Sequence, residues 1–234
     1  MTITATGLTK AAGAAAAVAG AIFVTVQLGH PSTGSFTTET TQWMARSGAK
    51  SAMAALALAG ITGMYLRQYR KAGLLGLVGY LLFAAGYLAL LSVEVIAATV
   101  LPNLVDSEPG FVNDVVVVAN GGTPTGDIGG LQTLFYVAGG GYILGGLLFG
   151  VALFRTGVLA RWAAALLAVS TAATAALAVL PESFNRPFAV PAGIALIALG
   201  VSLWRNPRDS QQASVETSAQ TRLAVSPVVQ PAVR

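Results

Sequence analysis

The chain has 234 residues, of which 55% are hydrophobic and only 9% are charged. Soluble domains carry about 25% charged residues, so this composition excludes a soluble domain and indicates an integral membrane protein. There is no cysteine and one histidine, His30, which excludes a disulfide framework, a thiolate metal site and a haem held by two histidines. We therefore expect no cofactor.

Six stretches are apolar and long enough to cross a membrane as helices, since about 20 residues span the hydrocarbon core. The predicted spans are residues 9–28, 48–66, 72–100, 131–154, 162–180 and 188–204. The first has a rival interpretation as a cleaved signal peptide, because Lys10 precedes a short apolar core. The sequence thus predicts an all-α membrane domain of six helices in one bundle over residues 1–204. A disordered cytoplasmic tail is predicted over residues 205–234.

The basic residues predict the orientation of this bundle. One side of the six-span topology carries Lys10, Arg67, Arg70, Lys71, Arg155, Arg161, Arg205 and Arg208. The other side has only Arg46, Lys50 and Arg186, together with most of the acidic residues. The positive-inside rule then places both termini in the cytoplasm of a bacterial plasma membrane. Because the basic residues lie in short turns at the membrane, they indicate contacts with membrane lipids and no nucleic acid partner.

One long outer loop, residues 101–130, separates the third and fourth spans. It contains the acidic residues Asp106, Glu108, Asp114 and Asp127, and no lysine or arginine. The apolar run at residues 111–120 is too short to span a membrane, and it is predicted as a strand or an interfacial helical turn. A loop of this length is usually functional or disordered.

The third span contains the most informative polar residues. Tyr80, Tyr87 and Glu94 are spaced seven apart, close to two helical turns, so they are predicted to share one helix face. A carboxylate within a membrane span is costly and marks a candidate site by default. The alternative is a structural role, in which Glu94 pairs with a cation and holds helices in register.

Two basic residues at the outer start of the second span are expected to have an anionic partner. Arg46 and Lys50 are four apart and hence on one helix face. Pairing with Glu94 or Glu39 is predicted, and the alternative is that Arg46 reaches out to lipid phosphate. Trp43, just before them, is predicted to be an interfacial anchor.

The remaining candidates also lie on the outer side. Gln132 and Tyr136 are four apart and are predicted to face the same pocket. Arg186 lies in the turn before the last span, where a plain solvated turn is the alternative, and His30 is interpreted as polar surface. The predicted outward-facing pocket is formed by Glu94, Tyr87, Arg46, Lys50, Gln132, Tyr136 and Arg186.

Glycines of the fourth span predict close helix packing. Gly141 and Gly145, and likewise Gly146 and Gly150, form small-xxx-small pairs that let helix backbones approach closely. Packing within the bundle is the favoured interpretation, and contact with a second copy or another membrane protein is the alternative.

Three functions are compatible with this pattern. The favoured one is binding or transport of a small lipophilic molecule with a polar head, because polar candidates cluster over an apolar interior. An alternative is a membrane-embedded isomerase or cyclase acting on an isoprenoid-like substrate, with Glu94 as acid or base. A third is a structural or regulatory membrane subunit.

Three segments carry a resemblance to a known group of proteins. They are LAGITGMYLRQYRKAGLLGLVGYLLFAAGYL at 58–88, LFRTGVLARWAAALLAV at 153–169 and ALAVLPESFNRPFAVPAG at 176–193. With them, most of residues 10–204 resembles a group of small six-helix bacterial membrane proteins of unknown function, common in actinobacteria. The resemblance implies a fold and a membrane location, and it brings no catalytic residues.

Overall fold

The computed structural model describes residues 4–28, 36, 39–180 and 184–206. This part of the chain is built from helices and turns and contains no strand. The helices are α1 (Ala5–Thr25), α2 (Thr40–Thr99), α3 (Pro109–Ala119), α4 (Gly130–Gly140), α5 (Gly146–Thr156), α6 (Arg161–Ala173) and α7 (Asn185–Arg205). A π-helical segment, Gly141–Gly145, joins α4 to α5, and a 3-10 segment, Thr174–Ala178, continues α6.

Five of these helical stretches are long and apolar enough to cross a membrane. They are Ala5–Thr25, Thr40–Thr99, Gly130–Thr156, Arg161–Ala178 and Arg186–Arg205. The prediction of an all-α protein with several membrane-length helices is confirmed at this level. The predicted disordered tail lies outside the described residues from residue 207 onward, and so does His30.

Helix α2 covers two of the predicted spans because the chain reverses within it. Its 60 residues include two with non-helical backbone angles, Gln68 and Gly73. Gly73 has φ +59° and ψ −160°, a conformation that essentially only glycine adopts without strain. The ring of Tyr80 then stacks on Tyr65 with 4.7 Å between centroids. Residues 40–67 and 74–99 therefore form two antiparallel arms, called here the first and second arm.

The glycines of the fourth span pack inside the bundle, as predicted. A Cβ atom on Gly141 would lie 2.7 Å from the Cα of Gly86 in the second arm. A Cβ atom on Gly150 would lie 2.7 Å from the backbone nitrogen of Ala168 in α6. These close approaches leave no room for a side chain and bring the second arm, α5 and α6 into direct backbone contact.

Two apolar clusters form the interior. The main core contains large buried side chains from several helices, among them Met53, Phe83 and Phe149. The outer cluster combines side chains from α3, from the start of α2 and from the connecting segments, and it consists of Phe36, Trp43, Leu101, Val112, Val115, Val116 and Ile128. Trp43, predicted to be an interfacial anchor, is 7% exposed within this cluster, and its ring packs on Phe36 with 5.5 Å between centroids.

Charged side chains of the described residues separate between two ends of the bundle. The basic end carries Lys10, Arg67, Arg70, Lys71, Arg155, Arg161 and Arg205. At this end the Nε of Arg67 donates to the carbonyl of Asn206, 3.0 Å away, and Trp162 and Trp204 are exposed. The acidic end carries Glu39, Glu94, Asp106, Glu108, Asp114 and Asp127, together with Arg46, Lys50 and Arg186.

Candidate functional site

An ion pair joins the two arms of α2 at the acidic end. The Nζ of Lys50 in the first arm lies 3.3 Å from the Oε1 of Glu94 in the second arm. The side chains are 19% and 13% exposed, respectively. The antiparallel hairpin places these residues at the same height, so the predicted pairing of Glu94 with a cation of the second span is confirmed for Lys50.

The pair lies between the two apolar clusters. Trp43 and Leu101, which belong to the outer cluster, are each seven residues beyond a member of the pair toward the acidic end. Met53 and Tyr87, on the opposite side of the pair, belong to the main core. Water is thus largely excluded above and below, which strengthens the attraction between the charges and raises the cost of removing either one.

Arg46 is positioned by the first helix. Its guanidinium Nη1 donates to the carbonyl of Val26, 2.8 Å away, at the residue that follows α1. The last carbonyls of a helix lack partners within that helix, and a cation is favoured there. Arg46 therefore caps α1 and ties it to the first arm, a role that the sequence did not reveal.

The three polar residues of the second arm all face other parts of the bundle, in agreement with their predicted common face. The hydroxyl of Tyr80 lies 3.1 Å from the Oγ1 of Thr62 in the first arm. Tyr87 is 2% exposed, and its hydroxyl has no hydrogen-bond partner among the described residues. The arm therefore presents an ion-paired carboxylate, Glu94, and a buried hydroxyl two turns deeper.

The long loop forms a cap over the acidic end. Residues 111–120, predicted as a strand or a helical turn, lie mostly in α3, which supplies three valines to the outer cluster. The buried carboxylate of Asp114 accepts hydrogen bonds from the backbone N–H groups of Thr125 and Gly126, each at 2.8 Å. These donors hold the pKa of the Asp114 carboxyl below its usual range.

Asp114 was not singled out from the sequence, although one signal was present. It directly precedes a run of four valines at 115–118, and its neighbours Val112, Val115 and Val116 are all buried. An acid that shares a helix face with buried apolar residues must find donors. Here the donors come from the turn that follows α3. Asp114 therefore ties α3 to the next segment of the cap.

Three further residues of the predicted pocket, Gln132, Tyr136 and Arg186, lie outside the Lys50–Glu94 ion pair. Gln132 Nε2 donates to the hydroxyl of Tyr136, 3.0 Å away, so the two are neighbours as predicted. Tyr136 is 69% exposed on the surface of α4, so its place in the outward-facing pocket stays a prediction. Its helix lacks buried residues altogether. Arg186 lies in the first turn of α7, at the acidic end.

This arrangement offers two opposite charges beside an apolar interior. Lys50 can bind an anionic group, and Glu94 can accept hydrogen bonds from a cationic or neutral donor. Because each charge already compensates the other, the pair is stable without a ligand and is also complementary to a polar head of mixed charge.

No family model, curated protein or solved structure matches this chain. The resemblance to six-helix actinobacterial membrane proteins therefore stays a prediction, and the function must be argued from the site.

Proposed function

We propose that this protein crosses a bacterial plasma membrane six times and binds or transports a small lipophilic molecule through its acidic end. The basic end would face the cytoplasm, because lysine and arginine are enriched on that side of bacterial membrane proteins. Both arms of α2 exceed the roughly 20 residues that a crossing requires. The exposed Trp162 and Trp204 at the basic end suit an interface between lipid and water.

The observation that supports a ligand site is the Lys50–Glu94 pair between the two apolar clusters. Structural ion pairs add little stability over apolar residues of the same volume, because desolvation offsets their attraction. Such a pair can instead recognise a ligand, because a polar head that binds between the two apolar clusters meets both a positive and a negative charge. The apolar residues on either side suit the hydrocarbon part of the same molecule.

The test is native mass spectrometry of the full-length protein, purified in mild detergent, for the wild type and Glu94→Gln. We expect a discrete adduct of lipid-like mass on the wild type. Its affinity should fall at least about tenfold in the variant, because a charge-assisted hydrogen bond contributes about 1.5–3 kcal/mol. Glu108→Gln is the matched control, since Glu108 is an exposed acid at the same end.

The outcomes are distinct because the fold is followed by thermal unfolding in the same detergent. An adduct that persists equally in Glu94→Gln would contradict a ligand head at the ion pair. A wild type without any adduct would contradict binding itself and favour the structural or regulatory subunit.

A further inference from the structure

The hydroxyl oxygen of Tyr87 is a buried polar atom that no hydrogen bond within the described part of the fold explains. The Tyr87 side chain is 2% exposed, and its hydroxyl lacks a hydrogen-bond partner among the described residues. Buried hydroxyls are nearly always hydrogen-bonded, so this exception requires a physical reason. The residue is seven positions before Glu94, which places it about 10 Å deeper along the same helix face.

The surroundings of Tyr87 are aromatic. Its ring lies 4.9 Å from the ring of Phe83 and 6.2 Å from the ring of Tyr142, both in edge-to-face geometry. Tyr142 belongs to the π-helical segment Gly141–Gly145, and such segments occur frequently at functional sites. The ring of Phe23 in α1 also packs edge-to-face with that of Tyr142, with 6.4 Å between centroids. Rings from three helices therefore converge at this depth.

We infer that the ligand is a zwitterionic amphiphile with an acyl carbonyl below its head, and that the Tyr87 hydroxyl donates a hydrogen bond to that carbonyl. This inference rests on the proposed binding function. A head with both charges can meet Lys50 and Glu94 together and leaves no buried charge uncompensated. The apolar, aromatic environment of Tyr87 suits an uncharged oxygen and excludes a second ionised group. A single-chain glycerophospholipid with an ethanolamine head has these features.

The test compares two probes that differ in one carbonyl. Full-length protein is titrated with 1-acyl lysophosphatidylethanolamine and with its 1-O-alkyl ether analogue of equal chain length, and adducts are counted by native mass spectrometry. The wild type should prefer the ester by about fivefold, the effect of one neutral hydrogen bond. Tyr87→Phe should lose this preference and still bind both probes. Tyr136→Phe removes an exposed hydroxyl and should keep the preference.

Each outcome bears on a different part of the inference. Equal binding of ester and ether by the wild type would overturn the role of Tyr87 and leave the proposed head site standing. Failure of both probes to bind would overturn the ligand class, whether or not another adduct is found on the wild type. Unfolding of the unliganded Tyr87→Phe protein should occur at or above the wild-type temperature, since an unpaired hydroxyl is removed. A large destabilisation would show that Tyr87 is bonded within the fold and would contradict the inference.

Discussion

Asp114 is the side chain on which the outer cap depends. Its carboxylate accepts from two backbone N–H groups, at Thr125 and Gly126, and from the hydroxyl of Thr125 at 3.0 Å. The same donors lower its pKa, so the folded cap binds the proton less tightly than the unfolded chain does. Its contribution to stability is therefore complete above the unfolded pKa of about 3.9 and is lost as the pH falls through the lower folded pKa.

We predict that Asp114→Asn loosens the cap at neutral pH. The amide keeps one acceptor oxygen but turns an NH₂ group toward a backbone N–H, so one hydrogen bond is replaced by a repulsive contact. Hydrogen exchange followed by mass spectrometry should show faster exchange in residues 120–128. Asp106→Asn, a change at an exposed acid, is the control. Unchanged protection in Asp114→Asn would show that apolar contacts alone hold the cap.

Individual residues were predictable where charge conflicts with its surroundings. Glu94 in an apolar span and Lys50 on the cation-poor side each lack a solvated environment, and that shared deficit predicted their pairing. For Gln132 and Tyr136, the spacing of four residues predicted that the side chains are neighbours, but it could not show which way they face. The contact of Arg46 with the carbonyl of Val26 could not be predicted, since that acceptor is a backbone group that any sequence would supply.

Among the elements, the second arm of α2 is in close backbone contact with the π segment and α5. The backbone of Gly141 lies against that of Gly86, so the helices meet without intervening side chains. Such contacts gain dispersion energy over a large area but tolerate no added atoms. Gly140, one residue earlier, has no atom within 4 Å of the position of a Cβ.

These neighbouring glycines provide a matched pair of variants. Gly141→Ala should lower the free energy of unfolding by about 1–3 kcal/mol, because the new methyl group forces two helix backbones apart. Gly140→Ala should be neutral or stabilising by up to about 1 kcal/mol, since alanine favours a helix more than glycine does. Denaturation of both variants in the same detergent measures the difference. Equal destabilisation would mean that glycine flexibility, and not the close contact, matters here.

At the scale of elements, hydropathy predicted which helices exist better than it predicted the residues at which they begin and end. The first arm begins at Thr40, before the predicted start at residue 48, because polar residues lower the hydropathy of its first two turns, although Trp43 and Ser47 there are buried. Residues 111–120 were ambiguous for a related reason. A run of valines fits a strand or a buried helix equally well, and only packing on Leu101 and Ile128 decides for a helix.

The molecule as a whole is polarised by charge. Every acidic residue among the described residues lies at one end, and seven basic residues lie at the other. Most lysine and arginine residues therefore lie in the loops and turns of one end, and this bias is the signal that orients bacterial membrane proteins during insertion. An even number of crossings follows only if α2 acts as two spans, as we propose.

We predict that Leu8 and Asn206 lie on the cytoplasmic side and Ser107 on the outer side. The chain has no cysteine, so single cysteines at these exposed positions can be labelled without background. In intact cells, a membrane-impermeant maleimide should label Ser107→Cys and spare Leu8→Cys and Asn206→Cys, whereas all three should react after lysis. If only one of Leu8→Cys and Asn206→Cys is labelled in intact cells, the two ends of the chain lie on opposite sides of the membrane. That result would mean an odd number of crossings and would contradict the separation of α2 into two spans. Labelling of Leu8→Cys and Asn206→Cys, with Ser107→Cys protected, would show that the protein has the opposite orientation in the membrane. A ligand would then reach Lys50 and Glu94 from the cytoplasm.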